Sequence, residues 1–136
     1  LFYLVDKFNL KDNVSIKGRV DNKILKEKLV EYDFFMQLSI SEALSASVIE
    51  AQSYGLPCII SNSDGIKEAI IPGETGICGD YYNLDYFVTE TIKLWNDKEK
   101  YFQFSSKAIA YVNENFSLEV EVERTISMYN QILNTQ

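Results

Sequence analysis

With 136 residues, 46% of them apolar and 24% charged, the chain has the size of one domain or less and the composition of a packed core, which sets a disordered polypeptide aside. A formal charge of −7 with two arginines, Arg19 and Arg124, argues against a nucleic-acid coat. Histidine is absent, which removes Ser-His and Cys-His nucleophiles and imidazole metal sites and leaves carboxylates, backbone amides, lysine and hydroxyls to carry any chemistry.

In chain order, residues 14–20 alternate apolar and polar side chains and predict a strand. Residues 23–32 predict a helix with Ile24, Leu25, Leu29 and Tyr32 on one side. Residues 34–38 are apolar except for Gln37, too short for a globular helix, and read as a strand buried on both faces. A helix over residues 48–54 is stopped by Gly55 and by Pro57. Residues 57–61 follow as a second buried strand, with proline tolerated at its first position. The Pro-Gly-Glu-Thr-Gly run at 72–76 is a turn into a short extended piece at Ile77 and Cys78.

Three helices close the chain. The first carries Leu84, Phe87, Val88, Thr91, Ile92 and Trp95 at the 3.6-residue period behind an Asn83 cap. A second spans about 98–112 behind Asp97. The third starts after Ser117 with Val122, Ile126, Tyr129 and Leu133 on one stripe. Most of the aromatic load (Phe87, Trp95, Phe102, Tyr129) falls at core spacing and reads as packing, whereas Tyr81-Tyr82 is a loop pair that offers a contact surface. No apolar run reaches the roughly 20 residues of a membrane span, and no secretory signal opens the sequence. Cys58 and Cys78 therefore read as reduced thiols of a cytoplasmic protein, and the sequons at Asn13 and Asn115 as chance matches.

Strand, helix, strand, helix, strand with short links predicts an α/β fold: a parallel sheet flanked by helices, one domain over residues 1–136, with a helical C-terminus. Ligands of such sheets bind beyond the carboxyl ends of the strands, which selects the loops at 19–22, 39–47 and 61–68. In the second of these, Glu42 and Glu50 flank a stretch that leaves a strand and enters a helix. Free amides at a helix start suit a diphosphate, and a carboxylate beside them suits a sugar diol. Spacing alone leaves another reading open, because Ser47-Val48-Ile49-Glu50 is also a capping box in which Glu50 serves the Ser47 amide.

Seven residues separate Glu42 from Glu50, and a helix, Gly55-Leu56-Pro57 and a strand follow. This arrangement resembles the Glu-x7-Glu signature of the retaining, GT-B-fold glycosyltransferases of the group 1 (family 4) type. The segments at 13–20, at 64–70 with 72–76, and Phe116-Ser117 before the last helix resemble further pieces of that family in order. The resemblance covers the chain from about Lys11 onward.

It implies a Rossmann-like, three-layer donor-binding domain, the C-terminal half of a GT-B enzyme. Such an enzyme transfers a hexosyl group from a nucleotide-diphosphate sugar, UDP- or GDP-linked, to an acceptor hydroxyl. Glu50 would bind the ribose hydroxyls, and Glu42 would lie at the donor sugar as the catalytic carboxylate. Leu44, Ser45, Ala46, Ser47 and Val48 would meet the sugar and diphosphate, and Gly18, Arg19 and Val20 would border the base. The 63–65 loop would be a more distant wall. No metal ion or other cofactor is implied.

Where the family often has Gly-Phe-Gly after the first glutamate, this chain has Ala43, Leu44 and Ser45, and it lacks the arginine and lysine that clamp the diphosphate. The expectation is therefore a truncated domain, inactive alone. Its acceptor domain and first strands would lie outside the chain, its open sheet edge would allow dimerisation, and its last apolar stripe would be exposed. Bacterial capsule or exopolysaccharide assembly at the cytoplasmic face of a membrane, with peripheral association through the missing domain, is the setting implied. The alternatives are a GT-B nucleotide-sugar epimerase and a non-catalytic nucleotide-binding or interaction domain.

Overall fold

The computed structural model describes residues 1–134 and places three parallel strands between two layers of helices. In chain order the elements are α1 (Phe2–Lys7), α2 (Asn22–Leu29), β1 (Phe35–Gln37), α3 (Ala46–Ser53), β2 (Cys58–Ser61), a 3-10 turn (Ile66–Ala69), β3 (Gly76–Gly79), α4 (Leu84–Asn96), α5 (Lys98–Phe116) and α6 (Leu118–Leu133). The strands lie in the order β1-β2-β3, with Phe35 opposite Cys58 and Cys58 opposite Gly76.

Alternation along β2 creates the layers. Cys58 and Ile60 point to one side, where they meet Val48 and Ala51 of α3 and Ile66 of the 3-10 turn. Ile59 points to the other side and meets Ile77 of β3, Phe87 and Leu94 of α4 and Phe104 of α5. Both faces of the sheet are thus covered, as a parallel sheet requires. The expected α/β architecture and helical C-terminus are both present.

Helix ends follow local chemistry. Asn83, Asp97 and Ser117 each accept a hydrogen bond from the backbone N–H three residues on, opening α4, α5 and α6. α3 closes at Gly55, whose φ of +77° lets its own N–H and that of Leu56 return to the carbonyls of Gln52 and Ala51.

Four expectations need correction. Residues 14–20 belong to no sheet, because an alternating pattern marks a half-buried strand while a ladder also needs a neighbour, and the described residues offer none. β1 is an edge strand instead of one buried on both faces: Met36 is 56% exposed on its open side. Of the predicted apolar face of α2, Leu29 is buried while Ile24, Leu25 and Tyr32 are exposed. Phe102 and Tyr129 are exposed too, and Trp95 is partly so with the Lys98 ammonium 3.6 Å over its ring, which leaves Phe87 as the core aromatic of that set. α1 is an addition that the sequence reading did not contain; its six residues have no side-chain cap.

Candidate functional site

The site is assembled where β1 ends. Gln37 is the last residue of β1, and its carboxamide is used at both ends. Its Nε2 donates to Glu42 Oε2 at 3.0 Å, and its Oε1 accepts from Ser45 Oγ at 2.9 Å. Ser45 is buried and also caps α3, its Oγ accepting from the Val48 N–H at 3.5 Å. One side chain therefore fixes both the half-buried Glu42 carboxylate and the start of the helix.

A second loop braces the first. The Gly65 N–H donates to the Glu42 carbonyl at 3.0 Å. A Cβ on Gly65 would stand 2.8 Å from the Ala43 carbonyl carbon and from the Leu44 nitrogen, so glycine permits this approach. The 63–65 loop, expected as a distant wall, touches the site directly. Beneath both loops, Ser61 Oγ accepts from the Ser39 N–H at 2.9 Å and donates to the Ser39 carbonyl at 2.5 Å.

Since Ser45 is the cap, α3 begins two residues earlier than the capping-box reading requires, and Ser47 and Val48 lie inside its first turn. The Glu50 carboxylate accordingly does not turn back to the Ser47 amide. It reaches across to α2, where Lys26 Nζ lies 3.0 Å from its Oε1, and this hydrogen bond together with the charge of Glu50 raises the Lys26 pKa. Glu50 and Ser47 line a cleft of about 470 Å³ between α2, the open side of β1 and α3, with Gln37, Tyr32 and Leu25 among its other walls.

The remaining predicted residues divide clearly. Leu44, Ala46 and Ser47 are exposed, and the N–H groups of Ala46 and Ser47 have no acceptor in the first turn of α3, so they are available to an anion. Val48 is fully buried, and its N–H is already engaged by Ser45. Gly18 adopts φ +67°, and Arg19 and Val20 are exposed beside it on the unpaired segment. No hydrogen bond or ion pair among the described residues joins these three to Glu42 or Glu50. The described residues also contain no group of three His, Cys, Asp or Glu side chains placed to hold a metal ion.

Gln37 and Lys26 were missed as site residues. The signal for Gln37 was present as the one polar side chain in an apolar strand. Lys26 gave none, because its partner lies 24 positions away and on another helix.

Residues 1–111 match the family described as "Glycosyl transferases group 1". Among curated relatives, N-acetyl-alpha-D-glucosaminyl L-malate synthase of Bacillus anthracis is 29% identical over 133 residues, covering 98% of this chain and 34% of the relative. Among solved structures, a glycosyltransferase from Rickettsia africae superposes with a TM-score of 0.85 at 21% identity, covering 98% of this chain and 36% of that one. Anabaena HepE, crystallised in complex with UDP, superposes with a TM-score of 0.80 at 19% identity, covering 93% and 35%. The chain spans about a third of the length of these relatives. The fold is that of the Rossmann-like C-terminal domain of GT-B glycosyltransferases.

Proposed function

The chain belongs to the group 1 glycosyl transferases, and from that membership we propose that it is the donor-binding part of an enzyme that transfers a hexosyl group, with retention, from a nucleotide-diphosphate sugar to an acceptor hydroxyl. The observation that carries the reading is the arrangement at the end of β1. A carboxylate held by Gln37 stands beside a helix start with free amides, and a second carboxylate lines the adjoining cleft.

Each group has a chemical part. The Ala46 and Ser47 amides and the helix dipole take the diphosphate charge that grows as the bond to the sugar breaks. Glu42 lies at the donor sugar, where a fixed carboxylate stabilises an oxocarbenium-like centre or accepts from a sugar hydroxyl. Glu50 takes the ribose diol with the oxygen that Lys26 leaves open. Gly18, Arg19 and Val20 border the base in this reading, and UDP or GDP is the carrier. No metal ion takes part in this reading. The acceptor domain and the cationic diphosphate clamp belong to the rest of the enzyme, so the chain alone is inactive, and turnover of any nucleotide sugar by it would overturn that part. Assembly of a surface polysaccharide at the cytoplasmic face of a membrane is the setting in which such an enzyme acts.

The test is an amide-shift titration of isotope-labelled chain with UDP, GDP and ADP. One nucleotide is expected to shift residues 45–50, and Glu50→Ala is expected to weaken it about tenfold, since a charged hydrogen-bonding contact is worth about 1.5–3 kcal/mol. Equal affinity of the wild type and Glu50→Ala would remove Glu50 from the ribose site.

A further inference from the structure

The loop pair Tyr81-Tyr82 takes no part in the donor site, yet it borders a second cleft. This one, about 360 Å³, opens at the carboxyl ends of all three strands, between the residues that follow β2 and those that follow β3. Its walls include Asn62, Ser63, Asp80, Tyr81 and Tyr82, with Ile40 at one side. Neither Glu42 nor Glu50 lines it. The position is one where α/β sheets bind ligands, and the volume lies within the range of small-molecule sites.

The lining chemistry narrows the ligand. Tyr82 is 82% exposed and sits edge-on to Tyr81, with ring centroids 5.1 Å apart at 82°. An exposed aromatic face is matched by the apolar C–H face of a sugar ring. Asp80 uses one oxygen to accept from the Tyr82 N–H at 3.0 Å, which leaves the other for a hydroxyl. The Asn62 side chain has no hydrogen-bond partner among the described residues, while its backbone N–H is fixed to the Gly79 carbonyl at 2.7 Å. Ser63 is 8% exposed, and its buried hydroxyl has no partner, which is uncommon for a buried polar group. Among the described residues no lysine or arginine lines the cleft, and Asp80 repels anions, so a phosphate or nucleotide is the wrong occupant.

We propose that this cleft is a saccharide subsite separate from the donor site: a neutral pyranose packs against Tyr82 and gives its hydroxyls to Asp80 and Asn62. Binding there does not depend on the transferase reading; only the role of the bound sugar as acceptor or growing chain rests on it.

The test uses labelled chain titrated with methyl α-D-glucopyranoside and, separately, with methyl N-acetyl-α-D-glucosaminide, each to about 50 mM because small neutral ligands bind weakly. Shifts are expected at the amides of Asn62, Ser63, Tyr81 and Tyr82. Tyr82→Ala should weaken binding about fivefold or more, while Tyr3→Ala, an exposed tyrosine on α1, should leave it unchanged. Tyr82 is exposed enough that its loss should keep the spectrum dispersed, so a failed fold does not mimic lost binding. Absence of shifts with both sugars, or shifts that survive Tyr82→Ala, would overturn the proposal. Concentration-dependent shifts at Tyr81 and Tyr82 without sugar would also overturn it, by assigning the pair to self-association. UDP run in parallel reads residues 45–50, so a failure of the donor reading appears there and leaves the saccharide result to be judged separately.

Discussion

Gln37 joins two groups that differ in kind: a half-buried carboxylate that needs a donor and a buried hydroxyl that needs an acceptor. A carboxamide is the side chain that offers both from one rigid plane. Gln37→Leu keeps approximate volume and removes both contacts, so about 1–2 kcal/mol of stability should be lost, most of it from leaving Ser45 without its acceptor. Ser45→Ala removes the same contact from the other end together with the α3 cap. If the pair acts as a unit, urea unfolding of the two single mutants and the double mutant should show a coupling of about 0.5 kcal/mol or more. Strict additivity would mean that the Gln37–Ser45 bond contributes nothing. At this scale the sequence was partly legible. Glu42 and Glu50 stood out by spacing, whereas the partner of each was set by a strand end or a neighbouring helix that spacing does not contain.

Elements whose signals are local were readable. α4, α5 and α6 each combine a capping side chain with a helical period, and all three start where the sequence places them. β2 was readable because an apolar run between Pro57 and the polar loop has no other stable use. Residues 14–20 carry an equally good pattern and still form no strand, because pairing is decided by what lies alongside. The contact between the loops after β1 and β2 was also hidden, since Gly65 reads as an ordinary turn residue until Ala43 and Leu44 are placed against it. Gly65→Ala should push these loops apart, costing about 1–3 kcal/mol and weakening nucleotide binding as the Glu42 carbonyl loses the Gly65 N–H. Unfolding and the UDP titration check both effects, and a variant unchanged in both would show that the loops have slack.

For the whole molecule, the α/β class was legible from the apolar strands at 34–38 and 57–61 with a helix between them, while the third strand of the sheet is β3 and not the 14–20 segment. Surface apolarity was harder to read. A stripe at helical period predicts a face, but it does not say what covers the face. α6 shows this: none of its residues is buried, and Leu118, Val122, Ile126, Tyr129 and Leu133 are all exposed. It packs chiefly along α5, where Arg124 donates to the Asn115 carbonyl at 2.8 Å. The family match ends at residue 111, before this helix begins.

A helix held in this way need not share the cooperativity of the sheet. Detaching α6 exposes little surface that is not exposed already, so it can open as a unit of its own while β2 stays closed. In deuterated solvent its amides should exchange faster than those of Ile59 and Ile60 by roughly two powers of ten or more. Equal rates would mean that α6 unfolds only with the core. Unequal rates would mean that the last helix is a detachable arm, able to open while the sheet stays closed.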